Sequence, residues 1–357
     1  MRAKHIKTAK LVVVKLGTGI LSDNQNCLAS SRIKQLAGQI VRAKKNGYEI
    51  VLVSSGAVGA GMEALDYQKR PTRLQELQAC AAVGQSRLMA LYQELFAAHG
   101  LQVAQVLLTH SDLEDHDRHL NARNTLVALL ERGVIPVINE NDAVSFTELT
   151  VGDNDKLSAL VAALLSADLL VLLTTADGLV RNYGQKNAKL ISTVRKIDAT
   201  TKKFAGGTQS TTSIGGMATK LEAAKIVVRA GIPMVIANGR TRGILSNILA
   251  GKHLGTLFLP GADRLKARKR WIAFFHHPKG VLVVDDGAKA ALRERGKSLL
   301  LPGIVRCEGE FVGGDVVKIC DLEGTEFAQG ISRAGRTDVE RGMTEKVVVH
   351  CDDLVVL

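Results

Sequence analysis

The sequence predicts an α/β protein: a three-layer sandwich with a mainly parallel central sheet, followed by a small, mainly β domain. Two observations carry this. Short, continuous runs of Val, Ile and Leu alternate with longer amphipathic or Ala-rich segments as far as Leu259, and uninterrupted apolar strands separated by helices mark a parallel sheet covered on both faces. After Leu259-Pro260-Gly261 the pattern changes to short strands and Gly turns. At 357 residues the length suits about two domains, here placed at 1–262 and 279–357 with a basic linker over 263–278 between them.

Along the first domain, strands are expected at Leu11–Lys15, Ile50–Ser54, Val103–Thr109, Val134–Asn139, Leu169–Thr174 and Met234–Ala237, with helices around 31–46, 74–98, 119–132, 155–166 and 217–230. The long apolar run Leu157 to Leu173 contains Ser158, Ser166 and Asp168, so it divides into a helix and a strand and is no membrane span. Thr200 to Gly215, rich in Thr, Ser and Gly, reads as a mobile loop. In the second domain, strands are expected at Val281–Asp285, Gly303–Glu308, Val316–Cys320, Gly330–Ser332 and Val347–His350, with one helix near Ala288–Arg295.

The formal net charge of +12 fits an anionic partner, whether nucleotide, acidic metabolite or RNA, and does not choose among them. Cysteines at 27, 80, 307, 320 and 351 form no Cys-x-x-Cys pair. Their spacing argues against a disulfide framework or a zinc site and for free thiols in a reducing compartment. The basic start, Met1 to Lys10, runs into an apolar stretch that stops at Lys15, too short for a signal peptide. A cytoplasmic protein is expected.

Two acid-amide clusters stand out. Asn139-Glu140-Asn141-Asp142 ends one strand, and Val151-Gly152-Asp153-Asn154-Asp155-Lys156 opens the next helix. Open α/β sheets bind ligands at such element ends; caps and turns would use the same residue types. Lys15 closes the apolar Val-Val-Val-Lys and is followed by Gly17 and Gly19. It is either a lysine snorkelling at a sheet edge or a fixed cation beside backbone that can approach a phosphate. Ser54-Ser55-Gly56-Ala57-Val58-Gly59-Ala60-Gly61 reads as a second small-residue turn leading into a helix. Ile214-Gly215-Gly216-Met217-Ala218-Thr219-Lys220 opens the helix at 217 with glycines and a lysine. None of these is a dinucleotide fingerprint or a Walker loop, and Gly296-Lys297-Ser298 lacks the earlier glycine that loop requires. Two lysines on glycine-rich turns with aspartates between them suit phosphoryl transfer, which needs mainly charge neutralisation and positioning.

The motifs Val-Lys-Leu-Gly-Thr, Ser-Ser-Gly-Ala-Val-Gly-Ala-Gly, Ala-Ala-Val-Gly-Gln-Ser-Arg-Leu (81–88), Leu-Asn-Ala-Arg-Asn-Thr (120–125), Asn-Glu-Asn-Asp, Val-Gly-Asp-Asn-Asp, Gly-Gly-Met-x-Thr-Lys and Lys-Arg-Trp-Ile (269–272) occur in order over nearly the whole chain. As a set they resemble the glutamate 5-kinases of the amino acid kinase family, which carry a C-terminal PUA domain. The resemblance implies ATP-dependent phosphorylation of the glutamate side-chain carboxylate to glutamyl 5-phosphate, the first step of proline synthesis, with ATP and Mg2+. It further implies that Lys15 and Lys220 flank the transferred phosphoryl group and that Asp155 orients them. Ser55, Asn139, Asp142 and Asn154 match glutamate-binding positions, with Asp153 in the same loop. Lys15, Thr174, Thr175 and the segment Ile214, Gly215, Gly216, Met217, Ala218, Thr219, Lys220 match ATP-binding ones. No residue is expected to hold a metal directly.

Two positions depart from the family pattern, both on the nucleotide side: Thr175 where an Asp is expected, and Ile214 where Thr commonly stands. By the same resemblance a homo-oligomer is expected, and proline enters as a candidate feedback inhibitor. The basic segment 264–279 is read as a packed interdomain linker, with RNA not expected as a partner. Two alternatives stay open: a related carboxylate kinase using N-acetylglutamate or aspartate, and an RNA-binding PUA protein whose kinase-like part is a non-catalytic scaffold.

Overall fold

The computed structural model describes residues 6–23, 28–144, 153–204, 216–261, 267–275, 278–342 and 347–356. The chain divides into two compact units, Met1–Arg264 and Leu265–Leu357.

The first unit is built on an eight-stranded sheet of β1 (Leu11–Leu16), β2 (Glu49–Ser54), β3 (Val103–Leu108), β4 (Ile135–Glu140), β5 (Leu169–Thr174), β6 (Thr193–Val194), β7 (Met234–Asn238) and β8 (Thr256–Phe258) in the order β3-β4-β2-β1-β5-β7-β8-β6. All neighbours run parallel except β7 and β8. The helices that matter for the site are α1 (Ser30–Lys45), α2 (Ala57–Ala64), α3 (Leu74–Ala97), α4 (His116–Glu131), α5 (Asp153–Leu165), α6 (Met217–Arg229) and α7 (Ile244–Leu249). The first six expected strands all form: β1, β2, β5 and β7 are apolar runs buried on both faces, while the edge strand β3, with Gln105 exposed, is only half-buried. The long apolar run does divide: α5 ends at Leu165, Ser166 takes a left-handed φ of 54°, and β5 starts at Leu169.

The twofold alternation of a strand decides what the central strand offers each face. Val12, Val14 and Leu16 join the core shared with α1, α3 and α7. Val13 and Lys15 therefore point to the opposite face, where α5 lies and α6 packs beside it. The sheet thus delivers the ammonium of Lys15 to one chosen side.

The stretch after β2 differs from its expected glycine turn. Its small residues are themselves the helix α2, whose N-cap Gly56 has φ 107°. Gly61 and Gly84 let α2 and α3 pack almost backbone to backbone: a Cβ on Gly61 would lie 1.8 Å from the Cys80 carbonyl oxygen, and one on Gly84 would lie 1.8 Å from that of Ala57. This brings Ser55, at the start of α2, and Gln85 of α3 to the same end of the sheet. Thr200 to Lys203 also differ from a loop: they belong to a short helix, Ala199–Lys203, capped by the Asp198 carboxylate. Residues 205–215 of that expected loop lie outside the described residues.

The second unit holds a five-stranded sheet of β9 (Gly280–Val284), β10 (Ile304–Gly309), β11 (Val316–Cys320), β12 (Glu326–Ile331) and β13 (Leu354–Val356), in the order β10-β9-β11-β12-β13. Leu299–Leu300 pairs with Val347–Val349 at its side. Helix α8 (Ala267–Phe274) buries Ile272 against Val316 and Val355, and α9 (Asp286–Arg295) starts at Asp285, whose carboxylate accepts from the Ala288 amide. β12 begins four residues earlier than Gly330, and β13 has no counterpart among the expected strands. Gly296 caps α9 in the left-handed region with φ 58°, so Gly296-Lys297-Ser298 closes a helix instead of cradling a phosphate. Among the described residues no helix is long and apolar enough to cross a membrane. Cys80, Cys307, Cys320 and Cys351 are free thiols.

Candidate active site

The carboxyl ends of β1, β2 and β4 meet the start of α5, and two polar constellations form there. The first is ionic. Lys15 Nζ donates to Asp155 Oδ1 at 2.6 Å, and Lys220 Nζ donates to Asp155 Oδ2 at 3.0 Å. Their side chains are 8%, 5% and 1% exposed for Lys15, Lys220 and Asp155, so Lys15 is no snorkelling edge residue. Thr219 Oγ1 lies 2.9 Å from both Asp155 Oδ2 and the Gly216 carbonyl, which its single proton can serve only in turn. Ser158 Oγ donates to the Asp155 carbonyl at 2.7 Å and locks the first turn of α5.

Two ammonium groups share this one carboxylate in a nearly dry place. Buried cations are stabilised by nearby anions, so the cluster suits an incoming anionic group. Burial on its own would raise the Asp155 carboxyl, but Lys15, then Lys220, and the hydrogen bonds from both outweigh it and hold the group below the usual carboxylate range. Burial pushes the Lys220 ammonium below the ordinary lysine value; Asp155 opposes that shift and the Lys15 charge reinforces it.

The second constellation is a chain of neutral amides. Asn154 Nδ2 donates to Ser55 Oγ and to Asn139 Oδ1, each at 3.0 Å. Asn139 Nδ2 donates to Gln85 Oε1 at 2.9 Å, and Gln85 Nε2 to Gln105 Oε1 at 3.0 Å. Ser54, one residue before Ser55, is braced by Tyr92 at 2.8 Å, and burial raises the Tyr92 phenol to about 12, a hydrogen bond with Ser54 only partly opposing it. Among the described residues, one buried atom in this group has no partner, Asn154 Oδ1. A buried orphan acceptor costs about 1–3 kcal/mol, and a ligand with N–H donors would remove that cost.

The structure thus brings together Lys15, Asp155, Lys220 and Thr219, and beside them Ser55, Asn139 and Asn154. Asp142 is half-buried two residues past β4, and its charge reaches Arg70. Thr174 ends β5, where its carbonyl accepts from the Gly239 amide. Thr175 closes against the short helix Thr18–Leu21: its Cγ2 would be 2.8 Å from a Cβ on Gly19. Gly216 caps α6 with no side-chain cap and no acid in the first turn, Met217 is buried, and Ala218 is exposed. Ile214, Gly215 and the side chain of Asp153 lie outside the described residues. Sequence reasoning assigned no role to Gln85, Gln105 or the pair Lys156–His110, in which Lys156 Nζ donates to His110 Nε2 at 3.1 Å. A Gln on the buried side of an Ala-rich helix was the available signal for Gln85, buried at 8% exposure.

Residues 10–238 match the amino acid kinase family, and residues 280–350 match the PUA domain. The chain belongs to the amino acid kinase family. Its relatives include a glutamate 5-kinase of Geobacter sulfurreducens, 44% identical with all of both chains covered, and one of Vibrio vulnificus, 44% identical over 98% of this chain and 96% of that one. Similarity of this extent places it within the glutamate 5-kinase branch of that amino acid kinase family. Among solved structures, carbamate kinase from Giardia lamblia bound to AMP-PNP has a TM-score of 0.53 at 19% identity, covering 71% of this chain and all of that one. That likeness is one of fold. For a member of the amino acid kinase family, the ionic and amide constellations side by side are the natural candidates for the phosphoryl and amino acid halves of the site.

Proposed function

We propose that this chain is a glutamate 5-kinase: it transfers the γ-phosphoryl group of ATP to the side-chain carboxylate of L-glutamate, giving glutamyl 5-phosphate for proline synthesis in the cytoplasm. One observation carries the reading above the others: the buried Lys15–Asp155–Lys220 triad, in which two ammonium groups share one carboxylate, adjoins an amide bank whose Asn154 Oδ1 has no donor among the described residues.

The roles follow from charge. A carboxylate acceptor is already ionised at neutral pH, so no general base is needed. What opposes reaction is repulsion between anions. Lys15 and Lys220, reaching the same carboxylate from β1 and α6, would flank the moving phosphoryl group and neutralise it. Asp155 holds both ammonium groups in place, so little reorganisation is left for the reaction itself. The residues fit a nucleotide phosphate: the uncapped start of α6 at Gly216 faces the same cluster through Thr219 and Lys220. Both Asp155 oxygens are taken by ammonium groups, so Mg2+ would be held chiefly by phosphate oxygens and water, as is usual for this ion, and would supply further charge neutralisation there.

On the acceptor side, Asn154 Oδ1 calls for an N–H donor. The free α-ammonium of glutamate offers three; an N-acetyl group leaves one and removes the charge. Asp142 would add its carboxylate to that ammonium. Asp142→Ala is therefore expected to raise the KM for glutamate about tenfold or more, with a smaller change in kcat, consistent with the loss of a charge-assisted contact made to bound substrate. Initial rates over a glutamate series check this, and an unchanged KM removes Asp142 from the substrate site.

The deciding experiment traps the acyl phosphate with hydroxylamine, using ATP and Mg2+ and a panel of glutamate, N-acetylglutamate and aspartate. Glutamate should react best. Reaction of N-acetylglutamate with none from glutamate would overturn the assignment.

The pH profile has a stated direction. Because burial depresses Lys220 in the folded protein, its ammonium is lost before that of a free lysine as pH rises. The alkaline limb of kcat/KM should therefore fall with a midpoint below about 10.4, and Lys220→Arg should move that limb to higher pH if any activity remains. Asp155, depressed in turn, stays ionised down to a pH below about 4 and adds no acid limb in the neutral range.

A further inference from the structure

On the face of the sheet opposite Lys15, where α1 and α7 lie, a polar cavity of about 220 Å³ opens between α1 and the loop after β7. Ser31, Arg32, Gln35 and Gln39 line it from α1, and Gly239, Arg240 and Thr241 from the loop. Two guanidinium groups face it with no carboxylate partner among the described residues. Arg32 Nη1 donates to the carbonyls of Ile20 at 3.2 Å and Ser22 at 3.0 Å, and Arg240 Nη2 donates to the carbonyl of Gly19 at 3.1 Å. Among the described residues most of their N–H donors have no acceptor, since an arginine carries five. The start of α1 adds to the same potential: it has no side-chain cap and no acid in its first turn, and Ser31 and Arg32 sit in that turn. Gln39 is already committed, its Oε1 accepting from the Leu245 amide at 2.9 Å.

We propose that this cavity is a second anion site, distinct from the catalytic cluster, which takes a phosphate dianion, free or as the end group of a small phosphomonoester. Two guanidinium forks and a helix start converge on one polar space of suitable size, and guanidinium matches phosphate oxygens in bidentate fashion. The site is also coupled to the segment that follows Lys15. Both arginines grip carbonyls of residues 19–22, in and just after the short helix Thr18–Leu21 that follows Gly17. An anion that draws the forks into the cavity weakens that grip and shifts the Gly17–Gly19 backbone, so phosphate should raise the KM for ATP. This link to catalysis rests on the kinase reading; the binding does not.

The test is calorimetric titration of the full chain with inorganic phosphate, and separately with glycerol 3-phosphate, at constant ionic strength. Arg32→Gln combined with Arg240→Gln should weaken binding at least about tenfold. Gln35→Glu, which leaves both carbonyl grips in place but puts a negative charge on the wall, should do likewise. Lys220→Ala, which alters any phosphate binding at the catalytic cluster, should keep the binding component that Arg32→Gln combined with Arg240→Gln removes. Preference for the monoester over free phosphate, or the reverse, identifies the source of the anion; either supports the site. No binding by wild type, equal binding by all cavity variants, or loss in Lys220→Ala alone would overturn it. The hydroxylamine panel fails or succeeds independently, because calorimetry requires no turnover.

Discussion

Asp155→Asn should unfold far more readily than the wild type, by about 3–5 kcal/mol in a urea titration, the scale for breaking a buried ion pair from one side. The substitution keeps the shape of the side chain and removes the negative charge that bridges two ammonium groups that are 8% and 5% exposed. An asparagine can still accept one hydrogen bond but must turn its own N–H groups toward the other lysine. Part of the loss should return in Asp155→Asn combined with Lys220→Met, because the second change removes one of the stranded charges; activity should not return. A single Asp155→Asn variant as stable as the wild type would mean that the lysines already reach water or another anion, and the argument for a charge-hungry cavity would fail. The sign of the pH effect is fixed as well. A carboxyl whose folded pKa is depressed contributes stability above its unfolded pKa and loses it as pH falls through the folded one. The stabilising share of Asp155 is therefore present throughout the neutral range and disappears only below about pH 4. The difference between wild type and Asp155→Asn should shrink there.

Most of the parallel sheet was legible because each strand is a local signal: Val12 to Val14, Val51 to Val53 and Leu169 to Leu173 are continuous apolar runs that suit little except a doubly covered strand. The meeting of Lys15, Asp155 and Lys220 was legible for the same reason, since each breaks such a run or opens the helix after it. What escaped depends on contacts between distant segments. Gly56 to Gly61 look like a turn, and only the approach of Cys80 and Ala57 carbonyls to Gly61 and Gly84 explains why small residues build a helix there. The chain from Asn139 to Gln85 to Gln105 joins a strand end, a helix and an edge strand, and no spacing in the sequence announces it. Arg32 and Arg240, about two hundred positions apart, are ordinary surface charges until the fold sets both against the same short helix after Gly17. In the second unit, β12 starts in Glu326-Phe327-Ala328-Gln329, a half-buried antiparallel pattern much weaker than a run of valines.

Lys15→Ala and Lys220→Ala should each lower kcat by about 10^2–10^3, the cost of removing one preorganised partner of developing charge. Two consequences separate this from a folding defect. Removal of either lysine leaves Asp155 with one ammonium neighbour, a neutral pair in place of an overcharged triad, so neither variant should lose stability to the degree of Asp155→Asn. The glutamate requirement should change less than turnover, because the amide bank of Ser55, Asn139 and Asn154 is bonded within itself and not to either lysine. The double variant tests whether the two act as a unit. If both ammonium groups neutralise the same phosphoryl oxygens, the combined loss should fall well short of the product of the single losses, since residues that act together in a site are strongly non-additive. Urea titrations beside initial-rate measurements on all three variants give the comparison. Near-normal turnover in both single variants would remove the lysines from the reaction, and with them the reason for placing the phosphoryl group at Asp155.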